Sequence, residues 1–73
     1  MTTQRELDRR AQPMPTAAEA VTAYREGLQS RPGAGNPYAG RRVLGSVWAR
    51  GNREAARVAF RDWRRRAAAR RAE

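Results

Sequence analysis

Arginines recur at helical spacing in the C-terminal half of the chain. Five of them form one set: Arg50, Arg53, Arg57, Arg61 and Arg64. Steps of three and four residues place them on one side of an α-helix, because each residue advances by about 100° around the axis. A guanidinium donates paired hydrogen bonds to phosphate and also stacks on bases, so the pattern predicts a nucleic-acid-binding face. Arg41 and Arg42 add charge just before this helix.

The charge of the chain favours the same partner. Its 73 residues include 16 basic and 7 acidic side chains, for a net charge of +9, and every basic residue is arginine. Residues 1–40 carry five arginines and four acids, whereas residues 41–73 carry eleven arginines and three acids, for +8. Like charges at helical spacing repel, and a polyanion relieves that repulsion. Nucleic acid is the predicted partner; an anionic membrane or an acidic protein is the weaker alternative.

Residues that commonly perform catalysis are absent. The chain has no histidine, cysteine or lysine, so the usual general bases, thiolate nucleophiles and Schiff-base formers are missing. Glu54 and Asp62 are about 12 Å apart along a helix, too far for paired acid–base work, and are expected to pair with neighbouring arginines. The sequence predicts neither an enzyme nor a bound metal or cofactor. With no apolar segment for export or membrane insertion, a cytoplasmic location is expected.

Helical signals predict an all-α fold, a two-helix hairpin with a disordered N-terminal tail. The first helix, about 16–29, opens with the capping box Thr16-Ala17-Ala18-Glu19. A Pro/Gly loop follows, and a long second helix covers about 41–70. Three segments result: a flexible tail (1–15), a helix–loop–helix module (16–56) and an arginine-rich helical extension (57–73).

Apolar residues at helical spacing indicate how the two helices pack. The predicted contacts join Val21, Tyr24 and Leu28 of the first helix to an arc on the second, comprising Leu44, Val47, Trp48, Gly51, Ala55 and Val58. Gly27, unfavourable inside a helix, indicates close packing against it. Tyr38 in the loop either caps the hairpin or stacks on a base. Phe60 and Trp63 lie beyond the first helix, so they are either exposed or in contact with a partner, for which a second copy is one candidate.

Three short motifs resemble the ribosome modulation factor family. They are Ala23-Tyr24-Arg25-Glu26-Gly27, Asn36-Pro37-Tyr38 and Trp48-Ala49-Arg50-Gly51-Asn52-Arg53-Glu54-Ala55, and the match covers roughly residues 17–56. Asn36 stands where the family has cysteine, and Asn52 where it has an aromatic residue. The resemblance singles out Tyr24, Gly27, Pro37, Tyr38, Trp48, Gly51, Arg53, Glu54 and Ala55.

The resemblance implies two helices joined by a loop that bind ribosomal RNA of the small subunit. In that family the protein blocks initiation of translation and promotes ribosome dimers during hibernation. The expected function is therefore that of a small RNA-binding protein that silences translation, with Tyr38 and the seven arginines above as RNA contacts. The alternative is a phage or accessory interaction protein that docks on a host protein or DNA through its arginine- and aromatic-rich C-terminal helix.

Overall fold

Two helices make up the fold of the computed structural model, which describes residues 3, 4, 7 and 13–72. Helix α1 spans Ala17–Gln29 and helix α2 spans Arg42–Ala72, and the described residues include no strand. The predicted all-α fold of two helices joined by a loop is confirmed, with helix bounds within two residues of those expected. Most of the predicted tail, residues 1–15, lies outside the described residues.

Local hydrogen bonds set the ends of α1. The Glu19 N–H donates to Thr16 Oγ1 at 3.1 Å, and the Thr16 N–H donates to Glu19 Oε1 at 3.0 Å, so the predicted capping box is present. These bonds from Thr16 hold the pKa of Glu19 below its ordinary value. At the other end the Ser30 N–H donates to the Gly27 carbonyl, and Ser30 leaves the helix in an extended conformation.

The two helices lie side by side and run in the same direction over the length of α1. Glu19, near the start of α1, lies beside Arg41 and lines a shallow cavity with it. Gly27, near the end of α1, lies against Trp48 and Asn52 of α2. Because contacts advance together along both helices, the connection must return along the full length of α1.

The loop of residues 30–41 makes that return along α2 and forms a third packed segment. Its first part is held where the Gly33 N–H donates to Asn52 Oδ1 at 2.9 Å. Further on, Asn36 Nδ2 donates to the Gly45 carbonyl at 2.8 Å. The loop is therefore tied to α2 at two points seven residues apart on the helix, which explains how a Pro/Gly-rich segment keeps one path.

The core is small, and its side on α1 differs from the prediction. Its buried apolar residues are Ala23, Leu44 and Trp48. Four residues predicted to pack between the helices are instead 37–49% exposed: Val21, Tyr24 and Leu28 of α1 and Val58 of α2. For these four residues the predicted packing was wrong. On α2, Leu44 and Trp48 are buried as predicted, and Val47 and Ala55 are half-buried.

Close backbone contact explains why α1 turns its small residues inward. A Cβ added to Gly27 would collide with the Trp48 carbonyl oxygen, and one added to Gly51 would collide with the Tyr24 carbonyl oxygen. The predicted close packing at Gly27 is thus confirmed. At this separation the face of α1 with Ala23 and Gly27 fits against α2, whereas larger side chains fit only at the margins.

Candidate nucleic-acid interface

The five arginines of α2 form one exposed surface, called here the arginine face: Arg50, Arg53, Arg57, Arg61 and Arg64. All five are exposed. They fall within an arc of about 80° and span about 21 Å of the helix axis. The arc lies on the side of α2 opposite Leu44 and Trp48, which α1 and the loop cover. The structure therefore brings together the residues that the spacing grouped.

Carboxylates neutralise little of this surface. Arg57 donates to Glu54 through Nε at 2.9 Å and Nη2 at 2.6 Å, which lowers the pKa of Glu54 and raises that of Arg57. The other ion pair among the described residues joins Arg65 to Asp62 at 3.9 Å. The predicted pairing of both carboxylates with nearby arginines is confirmed. Within the described residues, the four remaining arginines of the face form no ion pair.

Arg41 and Arg42 occupy different positions at the start of α2. Arg42 lies eleven residues before Arg53, within about 20° of three full turns, so it extends the arginine face toward the loop. Arg41 ends the loop, on the side of Glu19. Both border an open groove of about 400 Å³ between the loop and α2, which Tyr38 also lines. Arg42 therefore adjoins the five residues of the arginine face, whereas Arg41 lies apart from them.

Tyr38 is held in the fold by hydrogen bonds and packing. Its hydroxyl donates to Glu26 Oε2 at 2.7 Å, which raises the pKa of the phenol. Its N–H donates to Asn36 Oδ1, and its half-buried ring packs against the core. This geometry matches the predicted cap of the hairpin, while the ring's role as an RNA contact stays a prediction. Pro37 beside it is exposed.

The other motif residues concentrate where the helices cross. Gly27, Trp48 and Gly51 form the crossing itself, and the backbone of Tyr24 lies against Gly51. Ala55 is half-buried one turn further along α2. Of the same α2 motif, Arg53 lies on the arginine face and Glu54 holds Arg57. The motif therefore joins the packing side of α2 to its charged side.

Asn52 is a structural residue that the sequence analysis missed. It is 8% exposed; its Nδ2 donates to the carbonyls of Gly27 at 3.2 Å and Arg31 at 3.0 Å, and its Oδ1 accepts from Gly33. One side chain therefore ties the end of α1 and the start of the loop to α2. The available signal was its position four residues after Trp48, which puts a polar side chain on the buried side of the helix.

Phe60 and Trp63 lie on α2 two turns or more beyond Asn52, which meets the end of α1. Their ring centroids are 5.9 Å apart with an interplanar angle of 20°, and the residues are 59% and 55% exposed. The predicted exposure is confirmed within this chain.

Fold and surface together define a small, basic, all-α protein whose second helix is packed on one side and carries arginines on the other. The sequence matches the ribosome modulation factor family over residues 1–67, and the chain belongs to that family. Members are ribosome-associated modulating factors rather than enzymes. The match extends the predicted resemblance at both ends and includes Phe60 and Trp63.

The other comparisons add no relative. No curated protein matches the chain, and no solved structure does. In the described part of the chain, no helix is both long and apolar enough to cross a membrane. The same residues contain no cluster of acidic side chains that could hold a metal ion.

Proposed function

We propose that this protein binds ribosomal RNA of the small subunit through the arginine face and silences translation. The observation that carries the proposal is the arginine face, presented on the uncovered side of α2 in a member of a ribosome-associated family. Guanidinium groups donate paired hydrogen bonds to phosphates and displace their counterions. The proposed place of action is the cytoplasm, where ribosomes are found.

The rest of the fold gives this charge a defined geometry. The crossing at Gly27 and Gly51, together with the Asn52 hydrogen bonds, holds the first part of α2 against α1 and the loop. Phosphate contacts carry no sequence information, so a preference for one ribosomal site needs a fixed arrangement of arginines. The packed side of the hairpin supplies that arrangement, and Tyr38 contributes by holding the loop to Glu26.

The alternative function, docking on a host protein or DNA, gains no support. The family match points to the ribosome. The arginine face has a single carboxylate beside it, Glu54, so its charge suits a polyanion better than a protein surface of mixed charge.

Two double variants that have the same net charge as each other test the proposal. Arg53→Gln with Arg64→Gln removes two charges from the arginine face. Arg66→Gln with Arg70→Gln removes two from the other side of α2, as a matched control. Because Glu54 holds Arg57, the four other arginines of the face are the ones expected to displace counterions. On single-stranded RNA, log K of the parent then falls with log salt at a slope of about −2.8, and the first variant's slope is shallower by about 1.4.

Sedimentation with small ribosomal subunits and translation in vitro measure the outcome. We expect the Arg53/Arg64 variant to sediment less with the subunit and to inhibit translation less than the Arg66/Arg70 variant does. Equal losses in both variants would overturn the proposal, because the protein would then be a polycation without a binding face. Parent binding that does not change with salt would overturn it as well.

A further inference from the structure

The exposed aromatic pair on α2 is left unexplained by phosphate binding. Phe60 and Trp63 are stacked on each other and more than half exposed, and Arg57, Arg61 and Arg64 lie close to them in sequence. Two large apolar rings in water are unfavourable unless a partner covers them. Their place beyond the end of α1 means that the hairpin itself does not cover them.

A recess beside Trp63 combines an aromatic surface with positive charge. It has a volume of about 180 Å³, and Trp63, Ala67 and Ala68 line it together with Arg64 and Arg71. The two alanines leave room next to the indole because their side chains are short. An occupant of this recess would contact a π surface and two guanidinium groups at once.

We propose that Phe60 and Trp63 form a stacking platform for unpaired bases of the RNA, with Arg64 and Arg71 on the adjoining phosphates. The inference rests on the proposed function, since it takes RNA as the partner, and it adds that the RNA is single-stranded at this point. Every base offers a flat π face to an aromatic ring, whereas bases inside a duplex are already stacked on each other.

Charge favours RNA over a second copy of the chain as the occupant. Residues 41–73 carry a net charge of +8, so two copies meeting at Phe60 and Trp63 would bring two strongly positive segments together. A single strand of RNA instead brings phosphates to Arg64 and Arg71 while its bases reach the rings. The same observation that opposes a homodimer therefore supports a nucleic-acid strand.

The test compares oligouridine, an abasic strand of equal length and an RNA duplex. In the parent, we expect oligouridine to bind more tightly than the abasic strand and to quench the fluorescence of Trp63. Trp48, the other tryptophan, is buried and serves as the internal reference when Trp63→Phe is measured. Phe60→Leu with Trp63→Leu keeps apolar side chains and helix propensity but removes the π faces. It should weaken oligouridine binding about 5- to 150-fold for each base stack lost, without weakening abasic binding.

The controls separate this inference from the proposed function. Val58→Ala shortens an exposed apolar side chain on the same helix and should leave all three affinities unchanged. Arg64→Gln with Arg71→Gln should weaken binding to the abasic strand as well. If the parent binds no RNA, the proposed function fails. If the double leucine variant binds oligouridine as tightly as the parent, the platform is refuted and the arginine face stands. A leucine variant that loses only self-association or binding to anionic vesicles would also refute it.

Discussion

Replacing Gly51 with alanine sets local helix propensity against tertiary packing. Inside an isolated helix the change would stabilise α2 by about 1 kcal/mol. In the folded protein the new Cβ would collide with the Tyr24 carbonyl oxygen and lie 2.9 Å from the Leu28 nitrogen. Both are backbone atoms, which cannot rotate out of the way, so α1 and α2 must separate.

The size of the effect follows from what that separation costs. Overpacking of this kind costs about 1–3 kcal/mol. Moving α1 also weakens the two hydrogen bonds from Asn52 to the carbonyls of Gly27 and Arg31, at about 1 kcal/mol each. After subtracting the helix gain of about 1 kcal/mol, we expect Gly51→Ala to lower the free energy of unfolding by about 2–4 kcal/mol.

Urea unfolding followed by far-UV circular dichroism measures this change. Gly35→Ala is the matched control, because a Cβ there meets no atom within 4 Å, and its stability should be unchanged or up to about 1 kcal/mol higher. Gly27→Ala combined with Gly51→Ala should cost less than the sum of the single changes, since one separation accommodates both methyl groups. A Gly51→Ala protein as stable as the parent would refute the close helix crossing.

Three further changes test individual contacts. Asn52→Asp replaces the amide donor with a carboxylate facing two carbonyl oxygens. At neutral pH it should be less stable than Asn52→Ala by about 1–3 kcal/mol, and the gap should close as acid protonates the new carboxyl; a gap independent of pH would contradict this. Glu54→Gln releases Arg57, so RNA affinity should rise and the salt slope should steepen by about 0.7. Because the pKa of Glu54 is lowered, the parent should show no pH dependence from this residue between about pH 5 and 8, and an unchanged slope would mean that Arg57 does not face RNA. Above about pH 10 the phenol of Tyr38 ionises in the unfolded chain, whereas the raised pKa keeps it protonated beside Glu26 in the folded protein, so the parent loses stability as the pH rises. Tyr38→Phe should abolish this loss. Thermal melts of parent and variant across that range check it, and identical alkaline profiles would exclude the Tyr38–Glu26 bond.

Features governed by neighbouring residues could be predicted from the sequence. The capping box at Thr16 set the start of α1, and the prolines and glycines after Ser30 set its end. The spacing of arginines grouped the arginine face, and it also placed that face opposite Trp48. These predictions succeeded because capping, backbone restriction and helical periodicity act within a few residues. On an exposed helix, few tertiary contacts compete with these local effects.

Tertiary structure decided which side of α1 is buried and how the connection runs. Their large apolar side chains predicted that Val21, Tyr24 and Leu28 face α2. The backbones of the two helices instead approach so closely at Gly27 and Gly51 that small side chains form the contact. The same approach puts Asn52 within reach of α1 and the loop. Such choices depend on the distance between backbones far apart in sequence, which no local pattern specifies.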